Sequence, residues 1–264
     1  MENLRKYGRM PFTVAVIHGG PGAPGEMAPV ARELSSVMSV LEPLQTAATI
    51  HGQVEELQDV LKDNVDIPVT LIGFSWGAML GFIVAARYPS IVKKLILVGS
   101  GAYEEKYAAH IMETRLGRLG PEAREETVLL MDALNDPSVE DKNTLMARLG
   151  ELLSRADSYD PLPHDDEVLE CQYDIFQSVW EQARVLRSSG KLLEFGEGIQ
   201  CPVIAIHGDY DPHPYEGVRT PLFRVLRDFR FILLERCGHR PWIERSARER
   251  FFAILKAELV WKGH

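Results

Sequence analysis

A buried strand that turns at once into a buried helix around Gly73-Phe74-Ser75-Trp76-Gly77 constrains this chain more than any other stretch. Asp66-Ile67-Pro68-Val69-Thr70-Leu71-Ile72 enters it as a short apolar, β-prone segment, and Ala78-Met79-Leu80-Gly81-Phe82-Ile83-Val84-Ala85-Ala86-Arg87 leaves it as an apolar helix. Strand and helix can pass this closely only if the residues flanking the turn are small, and a glycine stands at each end. Such a turn strains the serine backbone and lifts its hydroxyl clear of the sheet. It also sets the serine at a helix N-terminus, where partial positive charge favours a developing anion. The same letters would serve a plain Gly/Ser turn; the strand before and the helix after favour a nucleophile.

Three further pieces end apolar runs in the same manner. Phe12-Thr13-Val14-Ala15-Val16-Ile17 leads into His18-Gly19-Gly20-Pro21-Gly22. A phosphate loop is a poor fit there, because no Lys-Ser/Thr follows the glycines. Val203-Ile204-Ala205-Ile206 leads into His207-Gly208-Asp209-Tyr210-Asp211-Pro212. Phe229-Arg230-Phe231-Ile232-Leu233-Leu234 leads into Glu235-Arg236-Cys237-Gly238-His239.

With these four motifs the whole chain resembles the α/β-hydrolase superfamily. The resemblance implies Ser75 as nucleophile, Asp211 as the acid of a G-x-x-D turn and His239 as general base, in the family's chain order. It also implies an oxyanion hole made by the backbone N–H groups of Gly20 and Trp76. Asp209 then reads as a turn former whose side chain bonds the local backbone. His18 reads as a local hydrogen-bonding residue. His207 and His213 flank the acidic turn, but no H-E-x-x-H or paired-Cys motif accompanies them, so no metal and no cofactor are expected.

Strands are expected at about 11–17, 37–42, 67–73, 94–100, 202–207 and 229–235. Helices are expected at Glu26–Ser36, Val54–Asn64, Ala78–Arg87, Val218–Asp228 and Ala247–Trp261. This alternation predicts an α/β fold, a mostly parallel sheet flanked by helices, with the site beyond the C-terminal ends of the strands. Residues 1–101 and 199–264 form the expected core, and 102–198 a helical cap inserted after the strand near 94–100. Two departures from the family stand out. About ten residues precede the first strand, so the N-terminal antiparallel hairpin is missing or shortened, leaving a sheet edge for another subunit of a homo-oligomer to cover. Glu42-Pro43-Leu44-Gln45 replaces the family's glycine-rich loop, which leaves Glu42 between a pocket-facing and a surface role.

A net charge of −9 disfavours nucleic acid and anionic membrane as partners, and no run is long enough to span a bilayer. Cys171, Cys201 and Cys237 follow no metal or redox spacing and read as reduced, mostly buried thiols of a cytoplasmic protein. Arg5, Lys6 and Arg9 before an apolar run imitate a signal peptide. Cleaving it would delete a central strand, so export is not expected.

In the cap, a helix from about Asp165 to Ser188 carries Leu169, Tyr173, Phe176, Trp180 and Ala183 at helical spacing. Packing explains most of that stripe; Tyr173, Phe176 and Trp180 are also candidates to contact substrate. Asp157, Asp160, Asp165, Asp166, Glu167 and Glu170 form a solvated acidic run or an ammonium site. The expected reaction is cofactor-free cleavage of a small acyl or peptide substrate, carboxylesterase-like. The His-Gly-Gly-Pro-Gly and Gly-x-Ser-Trp-Gly motifs look most like proline iminopeptidases, although Pro212 stands where those enzymes commonly place an amine-binding acid. C–C hydrolase or lyase chemistry and a non-turnover small-molecule receptor are the alternatives of other classes.

Overall fold

The computed structural model describes residues 3–65, 67–164 and 167–260. One sheet contains β1 (Leu4–Tyr7), β2 (Val14–Ile17), β3 (Val40–Pro43), β4 (Val69–Phe74), β5 (Val92–Val98), β6 (Val203–Gly208) and β7 (Phe229–Leu234). Its order is β1-β3-β2-β4-β5-β6-β7, and each neighbouring pair is parallel except β1 with β3. Parallel neighbours require crossovers, and helices supply them. Up to β5 these are α1 (Ala28–Leu34), α2 (Ile50–Asn64) and α3 (Trp76–Arg87). Between β5 and β6 lie α4 (Ile111–Arg118), α5 (Pro121–Asn135), α6 (Lys142–Asp157), α7 (Tyr173–Ser188) and α8 (Lys191–Glu194). Helix α9 (Glu216–Val225) joins β6 to β7, and α10 (Arg248–Val260) follows β7.

The central strands are apolar without alternation because both faces of the sheet are covered. Leu71, Leu95, Leu97 and Ala205 face a core shared with Leu57, Phe82 and Leu222 from α2, α3 and α9. Ile72, Phe74, Ile96, Val98, Ile204 and Ile206 face the opposite core, with Leu34 of α1 and Phe251 and Leu255 of α10. Every strand expected from the sequence is present, and the sheet is mostly parallel as expected.

One strand was not legible. β1 is short and reads Leu-Arg-Lys-Tyr, yet it pairs with β3 from Leu4↔Pro43 to Tyr7↔Val40 and covers that edge. Among the described residues one antiparallel strand, β1, stands where the N-terminal hairpin is expected. The same pairing corrects the surface reading of Glu42. Its side chain is fully buried, with Tyr7 Oη donating to Oε2 at 2.8 Å and Arg5 Nη1 3.5 Å away. Burial pushes the Glu42 pKa up to about 7 against the bonds from Tyr7 and Arg5.

Helix α7 starts at Tyr173 rather than near Asp165. Before it, the Leu169 and Gln172 N–H groups donate to Pro24 O (2.8 Å) and Gly22 O (2.7 Å), pinning that segment to the glycine loop. Asp66, Asp165, Asp166 and Trp261, which the sequence reading placed in elements, lie outside the described residues. Cys237 alone of the three free thiols is buried; Cys171 and Cys201 are partly exposed. Among the described residues no helix is long and apolar enough to cross a membrane.

Candidate active site

β4 delivers Ser75 with φ +51° and ψ −111°, a strained conformation for a residue bearing a side chain. Its N–H donates to Val98 O at 2.9 Å, which ties the turn to β5. Trp76 opens α3, so its N–H belongs to the first helical turn, where no intrahelical acceptor exists. Close approach dictates the two glycines. A Cβ on Gly73 would lie 2.2 Å from Gly77 O, and one on Gly77 would lie 2.4 Å from both Ile17 O and His18 O. The elbow thus rests on the end of β2, where the loop bearing Gly20 begins. Ser75 itself is half-buried, which leaves its hydroxyl within reach of a substrate.

His239, on the loop after β7, donates its backbone N–H to Asp157 O at 2.8 Å. Its Nδ1 lies 2.7 Å from Asp211 Oδ2, and its ring centroid 4.8 Å from that of Phe74, the residue before Ser75. Ser75, Asp211, His239 and Gly20 all occupy the loops that follow C-terminal ends of strands, as parallel topology requires. Burial works against charge on both partners, but their pairing outweighs it. Burial alone would lower the His239 pKa; attraction and the hydrogen bond from Asp211 raise it. Burial alone would raise the Asp211 pKa; His239, His207 and His213 hold it well below the ordinary carboxylate range.

Neighbouring polar groups hold this arrangement. Glu244, fully buried, accepts from the N–H groups of Tyr159 (2.8 Å), Asp160 (2.9 Å) and Gly238 (3.0 Å), fastening the residue before His239 to the end of α6. Asp209 Oδ1 accepts from Cys237 N at 3.1 Å, so it clamps two turns together rather than bonding its local backbone as expected. His18 is a neutral strut. Burial lowers its pKa to about 4, Nδ1 donates to Gly19 O at 2.8 Å, and Nε2 accepts from Gln45 N at 3.2 Å.

His213 sits closer to the chemistry than its sequence position indicated. Its backbone N–H and its Nδ1 both lie 2.9 Å from Asp211 Oδ1. His207 Nε2 donates to His213 O at 2.8 Å and lies 3.4 Å from Asp211 Oδ2. Asp211, His213 and His239 have the side chains of a metal site. However, each imidazole Nδ1 is turned onto the carboxylate as a proton donor, and a cation would have to displace both protons. The set fits a hydrogen-bond network better than a metal centre.

The three aromatics that were candidates for substrate contact divide. Tyr173 is buried, its hydroxyl donates to Leu134 O at 2.8 Å, and Lys142 Nζ lies over its ring, so it anchors α7 to the α5–α6 pair rather than facing substrate. Leu169 precedes the helix and is exposed, whereas Val179 and Ala183 take the buried positions of α7. Phe176 and Trp180 are half-buried with stacked rings 6.2 Å apart, and a Cβ on Gly22 would lie 3.2 Å from Phe176 N. Among the described residues of the acidic run, three of four are engaged. Asp157 forms a bidentate pair with Arg115 (2.7 and 2.6 Å), Asp160 pairs with Arg245, and both Glu167 oxygens bind Arg32. Glu170 is exposed. Sequence reasoning missed Arg115 because nothing in an exposed-looking helix marks which arginine turns inward. For His213, the flanking Pro212 and Pro214 were the available signal.

A family model described as the α/β hydrolase fold matches residues 45–213. A cis-3-alkyl-4-alkyloxetan-2-one decarboxylase of Shewanella oneidensis is 36% identical over 56 residues, 21% of this chain and 18% of that protein. A pimeloyl-[acyl-carrier protein] methyl ester esterase of Neisseria meningitidis is 23% identical over 212 residues, 77% of this chain and 61% of that protein. The matches therefore span less than two thirds of the length of either relative. Among solved structures, that of VinJ superposes with a TM-score of 0.67 at 20% identity, covering 97% of this chain and 93% of that one.

Proposed function

The chain belongs to the α/β-hydrolase family, and from that premise we propose that it is a serine hydrolase, cleaving a small ester or amide through an acyl-enzyme. The observation that carries this reading is the buried Asp211–His239 pair, 2.7 Å apart, with the imidazole against Phe74 beside the strained Ser75. Nδ1 of His239 is committed to Asp211, so Nε2 is the nitrogen left to take the proton of Ser75 Oγ. Oγ adds to the acyl carbon, and the N–H groups of Gly20 and Trp76 hold the resulting oxyanion. Collapse expels the alcohol or amine, which receives the proton from His239. Water, activated by the same imidazole, then releases the acid. Phe176 and Trp180 are the aromatic residues we assign to the substrate pocket.

Two observations favour an ester over an N-terminal peptide bond. Pro212 follows the acid, and Glu167 is already bound by Arg32, so neither supplies a carboxylate to a substrate ammonium. An esterase among the relatives supports the same choice. Chromogenic release from short-chain acyl esters and from a prolyl anilide, by wild type and Ser75→Ala, tests the assignment. Ester turnover that depends on Ser75 is expected. Anilide turnover abolished by acetylating the substrate amine would instead make the protein an aminopeptidase, and no turnover on either would overturn the acyl-hydrolase reading.

A further inference from the structure

We propose that His213 is a positioning residue for the reaction: it holds the second oxygen of Asp211 and tunes His239 as a base. The proposal rests on the serine-hydrolase reading and deepens it. A triad acid needs one oxygen for the general base, and here that is Oδ2. Its other oxygen, Oδ1, takes two hydrogen bonds from a single residue, the backbone N–H and ring Nδ1–H of His213, each 2.9 Å long. The two imidazoles therefore bind opposite oxygens of one fully buried carboxylate, with ring centroids 4.7 Å apart and planes tilted by 31°.

The local chain is built to keep that ring still. Residue 213 lies between Pro212 and Pro214, which fix their own φ angles and hold the residues before them in extended backbone. His207 Nε2 donates to His213 O from beneath. A turn-forming role alone would need only the backbone N–H on Oδ1; the ring bond adds a donor that turn formation does not require.

The groups that face His213 come from four places: Asp211 on its own loop, His207 at the end of β6, His239 on the loop after β7, and Arg115 on α4, which is itself paired with Asp157 of α6. Burial lowers the His213 pKa to about 4 despite Asp211, so near neutral pH the ring is an uncharged Nδ1–H donor. A neutral donor on Oδ1 draws charge away from Oδ2 without repelling the imidazolium that forms on His239. Removing it leaves the carboxylate less well solvated, which favours protonated His239 and moves the acid limb of the kcat/KM–pH profile to higher pH. It also frees the carboxylate to rotate, which lowers kcat. His213 keeps its proton throughout.

The test compares His213→Phe, which keeps a ring but loses the donor, with His213→Asn, which places an N–H near the position of Nδ1. Circular dichroism establishes folding, and His213→Leu replaces the Phe variant if that one does not fold. Two readouts are taken: the pKa of His239 by NMR titration of ring-labelled histidine, and kcat and KM on p-nitrophenyl acetate. For His213→Phe the His239 pKa is expected to rise by about one unit. The kcat is expected to fall about tenfold, with KM within about twofold. His213→Asn is expected to recover both values most of the way to wild type. An unchanged His239 pKa in the folded donor-less variant, or an Asn variant no better than Phe, would overturn the proposal. Because the NMR readout needs no substrate, it decides the role of His213 even where wild type fails to hydrolyse the ester, an outcome that would count against the serine-hydrolase reading and not against the positioning role.

Discussion

Helix α3 buries every residue from Trp76 to Ala85, whereas α4, at the start of the segment between β5 and β6, buries none. The neighbouring α5 buries only Thr127, Leu130 and Leu134, and α6 only Leu152, Ala156 and Asp157. The two regions are therefore held by different forces. Around the sheet, strands covered on both faces and glycine-tight turns hold Ser75 and Asp211, and Asp157 O of α6 and the buried Glu244 add hydrogen bonds to the His239 loop. The helices between β5 and β6 add charge pairs to the buried Val179 and Ala183 of α7: Arg115–Asp157 and Arg148–Glu126, with Glu167, before α7, bound to Arg32 of α1. Exposed pairs of this sort add little stability, because water screens them and long side chains lose entropy in forming them. Only Arg115–Asp157 is largely shielded, with side chains 15% and 10% exposed. The loops bearing Ser75, Asp211 and His239 are thus closely packed, whereas α4, α5 and α6 bury few residues.

The comparison can be broken at the rigid end first. Ser75→Ala is expected to lower ester turnover by at least about 10³-fold without loss of folding, measured by initial rates and thermal melting. Within the insertion, Arg115→Ala leaves the Asp157 carboxylate nearly buried and unpaired, and should cost about 3 kcal/mol in urea unfolding. Arg148→Ala, in an exposed pair, should leave the urea midpoint unchanged; equal losses from both would refute the distinction between shielded and exposed pairs. Hydrogen exchange sharpens the contrast further, with amides of α4–α6 expected to exchange at least about tenfold faster than those of β4–β6.

A further effect concerns Glu42. Its folded-state pKa is raised, so its contribution to stability is fully present below the unfolded value of about 4.5 and is lost as pH rises through about 7. Glu42→Gln should remove that loss, melting a few degrees above wild type at pH 8 and level with it near pH 4.5. A wild-type melting temperature that does not decline relative to the variant across that window would show that Arg5 and Tyr7 compensate the buried charge fully.

Legibility in the sequence followed the same division. Ser75, Asp211 and His239 were readable because each ends an apolar run in a turn whose small residues are dictated by backbone contact, as at Gly73 and Gly77. β1 was not, because four residues with two basic side chains carry no periodicity, and its pairing depends on the buried Glu42 on the facing strand. Tyr173 was assigned to substrate by helical spacing, which marks a buried stripe without saying against what; Leu134 O claims its hydroxyl. The acidic run looked like a solvated patch, and partners distant in sequence such as Arg32 and Arg115 left no local trace. His213 was visible only as a histidine beside an acid. Which oxygen it holds is a property of the folded loop.

Ser75, activated by His239 and Asp211, is the proposed nucleophile. Intact-mass and peptide mass spectrometry after a fluorophosphonate probe test it without knowledge of the natural substrate. A single adduct mapped to Ser75, absent in Ser75→Ala and forming far more slowly in His239→Ala, is the predicted result. Labelling at another residue, or at Ser75 at the same rate without His239, would contradict it.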